Sequence, residues 1–139
     1  MRRVIFVLEL LLQIILGGCL LMRAEAAPCD LNGEMQAGRT ATWEYEFTFT
    51  NRTQKTVRAV EFMLSLFDGE GEGVFECGWL TVRQELHAEP YATFCGQIAL
   101  DDFFDDLPDE PLQTDFFYAS RIEYTDGTSF EDVFGRYAF

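Results

Sequence analysis

The feature that most constrains the fold is a strict alternation of apolar and polar residues over positions 43–50. Trp43, Tyr45, Phe47 and Phe49 are separated by glutamates and threonines. Because successive side chains of a β-strand point to opposite faces, this pattern predicts a strand with one buried face and one exposed face.

A second alternation begins after the polar residues 51–55, which are typical of a turn. Val60, Phe62, Leu64 and Leu66 recur at every second position. The two segments therefore predict a long hairpin or a corner between two sheets.

Four further segments have strand character: residues 74–86, 91–100, 116–124 and 129–134. The sequence places a break at residues 87–90, before the second of these segments.

The last two predicted strands are joined by Asp126 and Gly127, a strong hairpin signal that predicts a type I′ turn. In the segment before it, one face is expected to carry the alternating residues Phe116, Tyr118, Ser120, Ile122 and Tyr124.

These six strands, with a tether or a seventh strand at residues 27–41, predict an all-β protein. We expect a single antiparallel immunoglobulin-like β-sandwich over residues 42–139. A small outer-membrane β-barrel is the alternative, since the chain ends in an aromatic residue, but the short length and acidic charge favour the sandwich.

The first 26 residues have the pattern of an export signal. Arg2 and Arg3 precede an apolar run over 4–22, and Ala24 and Ala26 form a small-x-small cleavage site. We therefore exclude residues 1–26 from the fold.

A lipoprotein signal is the competing interpretation of the same segment. Residues 16–19 resemble a bacterial lipobox, in which cleavage after residue 18 leaves Cys19 acylated at the new N-terminus. Glu9 and Gln13 lie inside the apolar run and argue against a retained transmembrane anchor. The expected location is the bacterial envelope, as an anchored lipoprotein or as a periplasmic or secreted domain.

The charge balance excludes some partners. The full chain has a net charge of -14, and removing residues 1–26, which hold three Arg and two Glu, leaves -15. Such a surface repels nucleic acid and anionic lipid headgroups. With 48% hydrophobic residues and 14 Phe, the chain is nevertheless expected to fold.

Three cysteines remain after cleavage at Ala26. Cys77 and Cys95 are the expected disulfide pair, and a bridge closing a loop of about 20 residues stabilises by about 3 kcal/mol. The alternative is two buried free thiols. Cys29 is left over, for pairing with another chain or within the fold.

Two acidic segments are candidate sites. Residues 68–73 alternate Gly with acidic residues, so Glu70 and Glu72 are candidate calcium ligands, although the spacing is not that of an EF-hand loop.

The second acidic segment, residues 101–115, interleaves carboxylates with phenylalanines and prolines. It is the predicted binding surface, with aromatic anchors in a negative field for a basic protein partner. Its candidate residues are Asp101, Asp102, Phe103, Phe104, Asp105 and Asp106.

Catalysis and zinc binding are not expected, and a calcium-binding acidic β module using Glu70, Glu72 or the later Asp cluster is kept as an alternative function. The only histidine, His87, lies near the predicted strand break with no nucleophile motif beside it. Its spacing from Cys77 and Cys95 is not that of a zinc motif. We predict neither an enzyme nor a cofactor.

Residues 51–69 resemble the FxLYD-type domains of secreted bacterial proteins. The matching features are the Asn51 turn, Val60, and the run Leu64-Ser65-Leu66-Phe67-Asp68-Gly69, with Leu64 in place of the leading Phe and Phe67 in place of the Tyr. The resemblance implies an immunoglobulin- or fibronectin-III-like sandwich on a surface lipoprotein, acting as a binding or structural module with no catalytic residue.

Overall fold

The computed structural model describes residues 26–37, 43–74, 79–103 and 112–138. Seven strands and one short 3-10 helix, Leu100–Phe103, account for most of these residues. The strands are β1 Cys29–Ala37, β2 Trp43–Asn51, β3 Val57–Leu64, β4 Leu80–Ala88, β5 Thr93–Ala99, β6 Phe117–Tyr124 and β7 Ser129–Glu131.

The strands form two antiparallel sheets, a three-stranded sheet in the order β1-β2-β5 and a four-stranded sheet in the order β4-β3-β6-β7. The chain changes sheets three times: between β2 and β3, between β4 and β5, and between β5 and β6. The all-β sandwich expected from the sequence is confirmed. No helix within the described ranges is long and apolar enough to cross a membrane.

Aromatic rings fill the space between the sheets. The Phe47 ring centroid of β2 lies 4.7 Å from that of Phe62 on β3, and Tyr45 lies 4.7 Å from Phe117 on β6. Phe62 and Phe117 stack at 5.3 Å, which joins the two pairs into one cluster. Such pairs add about 1 kcal/mol each beyond the burial of their area.

Two glycines make room for this cluster in the three-stranded sheet. Gly33 of β1 and Gly96 of β5 lie on either side of Phe47 in the strand register. A Cβ at Gly96 would lie 2.7 Å from both Phe47 and Phe94, and one at Gly33 would overlap the Tyr45 ring. Each glycine therefore lets an aromatic ring pack directly on the backbone.

Asn51 fixes the turn between β2 and β3. Its buried side-chain amide donates to the carbonyl oxygens of Lys55, Ala88 and Glu89 at 2.7, 3.2 and 3.1 Å. Its Oδ1 accepts from the backbone N–H of Thr53 at 3.0 Å. One side chain thus ties the β2–β3 turn to the β4–β5 turn.

The expected single face of β6 is interrupted at Ser120: Ile122 and Tyr124 face the core, whereas Phe116 and Tyr118, before the bulge, point outward. The register shifts between Glu61 and Phe62 of β3, whose partners on β6 are Arg121 and Ala119, so Ser120 is an extra bulge residue. A bulge reverses which face each later residue occupies. The buried residues of β6 are therefore Phe117, Tyr118, Ala119, Ile122 and Tyr124, rather than one unbroken parity.

The β6–β7 hairpin forms where the sequence predicts it, but its turn is not type I′. A type I′ turn needs positive φ at two residues, whereas only Gly127, at φ 84°, has it here. Gly127 N–H donates to the Tyr124 carbonyl at 3.1 Å, and Tyr124 N–H donates to Thr128 at 3.0 Å. These bonds define a three-residue loop with a glycine bulge.

Two strand boundaries also differ from expectation. β4 continues through Ala88, so residues 87–88 belong to the strand and the chain turns at residues 89–92. Tyr91 adopts φ 62° within that turn. The last strand ends at Glu131 because the buried Asp132 carboxylate accepts the N–H groups of Arg136 and Tyr137 at 3.0 and 3.1 Å.

Candidate functional site

An apolar groove crosses the outer face of the four-stranded sheet. Its volume is about 390 Å³. The lining residues are Met63, Trp79, Phe116, Tyr118, Val133, Phe134, Gly135 and Ala138. We call this surface the aromatic groove.

The aromatic groove exposes large apolar side chains to solvent. Trp79 is 37% exposed, Phe116 48% and Phe134 88%. The Trp79 ring lies 5.7 Å from Phe116 and 6.3 Å, edge-on, from Tyr118. These contacts hold the rings of the wall in one arrangement.

The bulge at Ser120 creates one wall of the groove. Before it, Phe117 and Ala119 face the core, so Phe116 and Tyr118 point outward. After it, the outward positions are the charged residues Arg121 and Glu123. The same sheet face is therefore aromatic at one end and charged at the other.

The segment after β7 forms the opposite wall. Gly135 has φ 62°, and a Cβ there would lie 3.1 Å from the Tyr118 ring. Glycine is thus needed both for the backbone conformation and for the close packing on Tyr118. With Asp132 capping the same turn, Phe134 is held at the rim of the groove.

The charged end of this face is organised by Glu123. Its carboxylate lies 2.8 Å from Arg58 Nη2 and 2.9 Å from Arg83 Nη2. Hydrogen bonds from these guanidinium groups lower the pKa of Glu123 to about 2, and the bond from Arg83 makes the largest contribution. Arg121 approaches the same carboxylate at 3.9 Å.

The predicted acidic binding surface is only partly described. Asp101 Oδ1 accepts the backbone N–H of Trp43 at 3.0 Å, so this carboxylate caps the start of β2. Asp102 is exposed and Phe103 is 43% exposed. Phe104, Asp105 and Asp106 lie outside the described residues.

The cysteines do not follow the predicted pairing. Cys95 is a free thiol on the outer face of β5, where its sulfur lies 3.9 Å from Thr48 Oγ1. The Cys77–Cys95 bridge is therefore not formed in the structure, and Cys77 and the candidate lipidation residue Cys19 lie outside the described residues.

Cys29 is part of the core rather than a reactive group on a tether. It is a free, buried residue at the start of β1. Burial, together with the nearby carboxylates of Asp30 and Asp132, raises the pKa of its thiol to about 12.

Among the described residues, the other candidate metal ligands do not form a site. Within the described ranges, no group of three His, Cys, Asp or Glu side chains could hold a metal ion. In the loop proposed for calcium, Asp68 Oδ1 instead accepts the N–H groups of Glu70 and Glu72 at 3.0 and 2.9 Å. His87 is exposed and contacts Glu89 at 2.6 Å.

The aromatic groove was not predicted from the sequence. A usable signal was present, because residues 116–119 include aromatic residues at consecutive positions instead of an apolar–polar alternation. A strand that is apolar on both faces either is buried on both or presents an exposed apolar surface.

No family model and no curated protein matches this chain. Among solved structures, it is similar to the Northeast Structural Genomics Consortium target SoR45, with 10% identity, 73% of this chain and 75% of that chain covered, and a TM-score of 0.38. It is also similar to an ApaA candidate from Bordetella pertussis, with 14% identity, 78% and 90% covered, and a TM-score of 0.40. No functional conclusion follows from these similarities.

Proposed function

We propose that this protein is a non-catalytic binding module of the bacterial envelope that docks a partner protein in its aromatic groove. The observation that carries the proposal is the cluster of exposed rings formed by Trp79, Phe116 and Phe134. Exposed apolar patches rimmed by polar residues are typical of protein–protein interaction sites.

The composition of the groove indicates what it binds. Aromatic residues and methionine are enriched at interfaces, and binding energy concentrates where such anchors fill pockets. Because the chain has a net charge of -14, long-range attraction favours a positively charged protein. The proposed partner is therefore a basic protein that inserts an apolar side chain between Phe116 and Phe134.

Export to the envelope is supported by the sequence of residues 1–26 and by the FxLYD-like resemblance of residues 51–69. Intact mass of the protein from its native host tests this part. We expect residues 19–139 with acyl chains on Cys19; a bare chain starting at Ala27 would indicate a free periplasmic or secreted domain. A mass that includes residues 1–18 would contradict export by either route.

Substitution at the rim tests binding. We expect Phe116→Ser combined with Phe134→Ser to lower partner affinity at least tenfold while the melting temperature stays within about 3 °C, since neither ring is buried. The matched control is Phe103→Ser, on the acidic segment. If only the groove variant loses its cooperative thermal unfolding, the two rings are needed for folding and the proposed binding role fails.

A further inference from the structure

The three-stranded sheet, on the other side of the molecule from the aromatic groove, has an unusual edge. The strand order makes β1 and β5 the edges of this sheet and β4 and β7 the edges of the other. Among these four described edges, only β5, with the sequence TFCGQIA, carries no charged residue and no proline.

Edge strands normally carry charges or prolines that prevent pairing with other chains. β1 includes Asp30 and Glu34, β4 includes Arg83 and Glu85, and β7 includes Glu131. β5 instead combines Thr, Phe, Cys and Ile, which are compatible with strand pairing. Its backbone is thus the most suitable template in the described chain for an added strand.

The outer face beside this edge is acidic. β1, β2 and β5 contain no Lys, Arg or His. Glu34 and Glu46 lie directly opposite each other in the register, an arrangement of like charges that is unfavourable without a counter-charge. Their side-chain partners are uncharged, since Gln36 donates to Glu34 and Gln97 donates to Glu46, each at 2.9 Å.

A shallow trough of about 610 Å³ lies over these residues. It extends from Glu34 across Glu46 to Cys95 and Gln97 of β5. Adjacent strands lie about 4.8 Å apart, so an added strand would be about 10 Å from β2. An extended lysine or arginine side chain on that strand can reach Glu46 from there.

We propose that the β5 edge binds an extended, basic segment of a partner protein by strand addition. Backbone hydrogen bonds to β5 would supply affinity, and alternate Lys or Arg side chains in the trough would supply specificity. The net charge of -14 favours such a segment over a second copy of this chain. The surface is independent of the aromatic groove because it belongs to the opposite sheet.

A synthetic peptide tests the proposal directly. The probe is an acetylated, amidated heptapeptide that alternates Lys and Val, and the control replaces each Lys with Glu. We expect saturable binding of the Lys peptide alone, weakened at least fivefold by raising NaCl from 50 to 300 mM, with amide shift changes concentrated in β5. Changes concentrated in β1, or equal binding of both peptides, would overturn the proposal.

Two matched variants separate the edge from the general charge. Gln97→Lys on β5 places a lysine beside Glu46, and Gln36→Lys on β1 places a lysine beside Glu34 on the same outer face. We expect at least a tenfold loss of peptide affinity for Gln97→Lys and less than twofold for Gln36→Lys. Equal losses would leave only non-specific attraction. A wild-type dimer in sedimentation that Gln97→Lys dissociates would place a second copy at the edge. Either result refutes the proposal.

Discussion

At the scale of single residues, Asn51 contributes more to the fold than its place in a polar turn suggests. The sequence indicates a turn at residues 51–55, and the structure shows why an amide is needed there. Its nitrogen donates to three carbonyls from two turns, while its oxygen accepts from Thr53. An aspartate at this position could accept from Thr53 but could not donate to the three carbonyls.

We expect Asn51→Ala to lower the free energy of unfolding by about 3 kcal/mol, because buried carbonyls and one N–H lose their partners. Urea denaturation measures this change. Asn32→Ala, at an exposed position of β1, is the control and should alter stability by less than about 0.5 kcal/mol. Similar values for the two variants would show that the Asn51 network is not required.

Glu123 predicts a defined acid sensitivity. Its pKa is lowered in the folded state from 4.5 to about 2. A carboxylate with a lowered folded-state pKa stabilises the fold above its unfolded-state pKa, and that contribution is lost as pH falls toward 2. The stabilising contacts are those with Arg83 and Arg58.

Melting temperatures at pH 5.5 and pH 2.5 test this point. The fall in melting temperature from pH 5.5 to pH 2.5 should be smaller for Glu123→Gln than for the wild-type protein, since the variant no longer has this carboxylate to protonate. Glu85→Gln is the control, because Glu85 is exposed and meets Arg83 only at 3.5 Å. An unchanged drop in Glu123→Gln would mean that the charged end of the sheet does not contribute to stability.

At the scale of the strands, the glycines of the edge strands set how closely the aromatic core packs. Gly33→Ala should lower the free energy of unfolding by about 2 kcal/mol, because the new Cβ overlaps the Tyr45 ring. Equilibrium denaturation measures this change, and Asn32→Ala, at the neighbouring exposed position, is the control. If Gly33→Ala is as stable as that control, Tyr45 does not pack on the β1 backbone.

Most strands were predictable because alternation persists wherever one face is buried. Apart from Asn51, the buried positions of β2 and β3 match the apolar positions of the sequence, with Phe49, Phe62 and Leu64 inaccessible to solvent. Prediction failed at features that alternation does not encode. The bulge at Ser120 depends on pairing with β3, and the end of β7 depends on a buried Asp132 that caps the following turn.

The aromatic groove was not predicted for a related reason. Its residues come from β3, from Trp79 just before β4, from β6 and the residue before it, and from the segment after β7, so no single stretch of sequence contains it. The sequence favours the acidic segment instead because its charges and rings are contiguous. In the structure, Asp101 of that segment has a structural contact with Trp43 instead.

At the scale of the whole molecule, the two outer faces differ in chemistry. The four-stranded sheet combines the aromatic groove with an ion-pair cluster around Glu123. The three-stranded sheet presents Glu34, Glu44 and Glu46 without a basic residue on its strands. Two faces of different chemistry are suited to two different contacts, an apolar anchor on one side and an extended basic segment on the other.

Photo-crosslinking in the native host tests the central claim, that the aromatic groove docks a protein, most directly. A benzophenone amino acid would replace Phe116 in one strain and Phe103, an aromatic residue of similar exposure on the acidic segment, in another. We predict a discrete protein adduct from position 116 that Phe134→Ser reduces several-fold, and a much weaker adduct from position 103. An adduct from position 103 with none from position 116 would contradict the claim and identify the acidic segment as the binding surface.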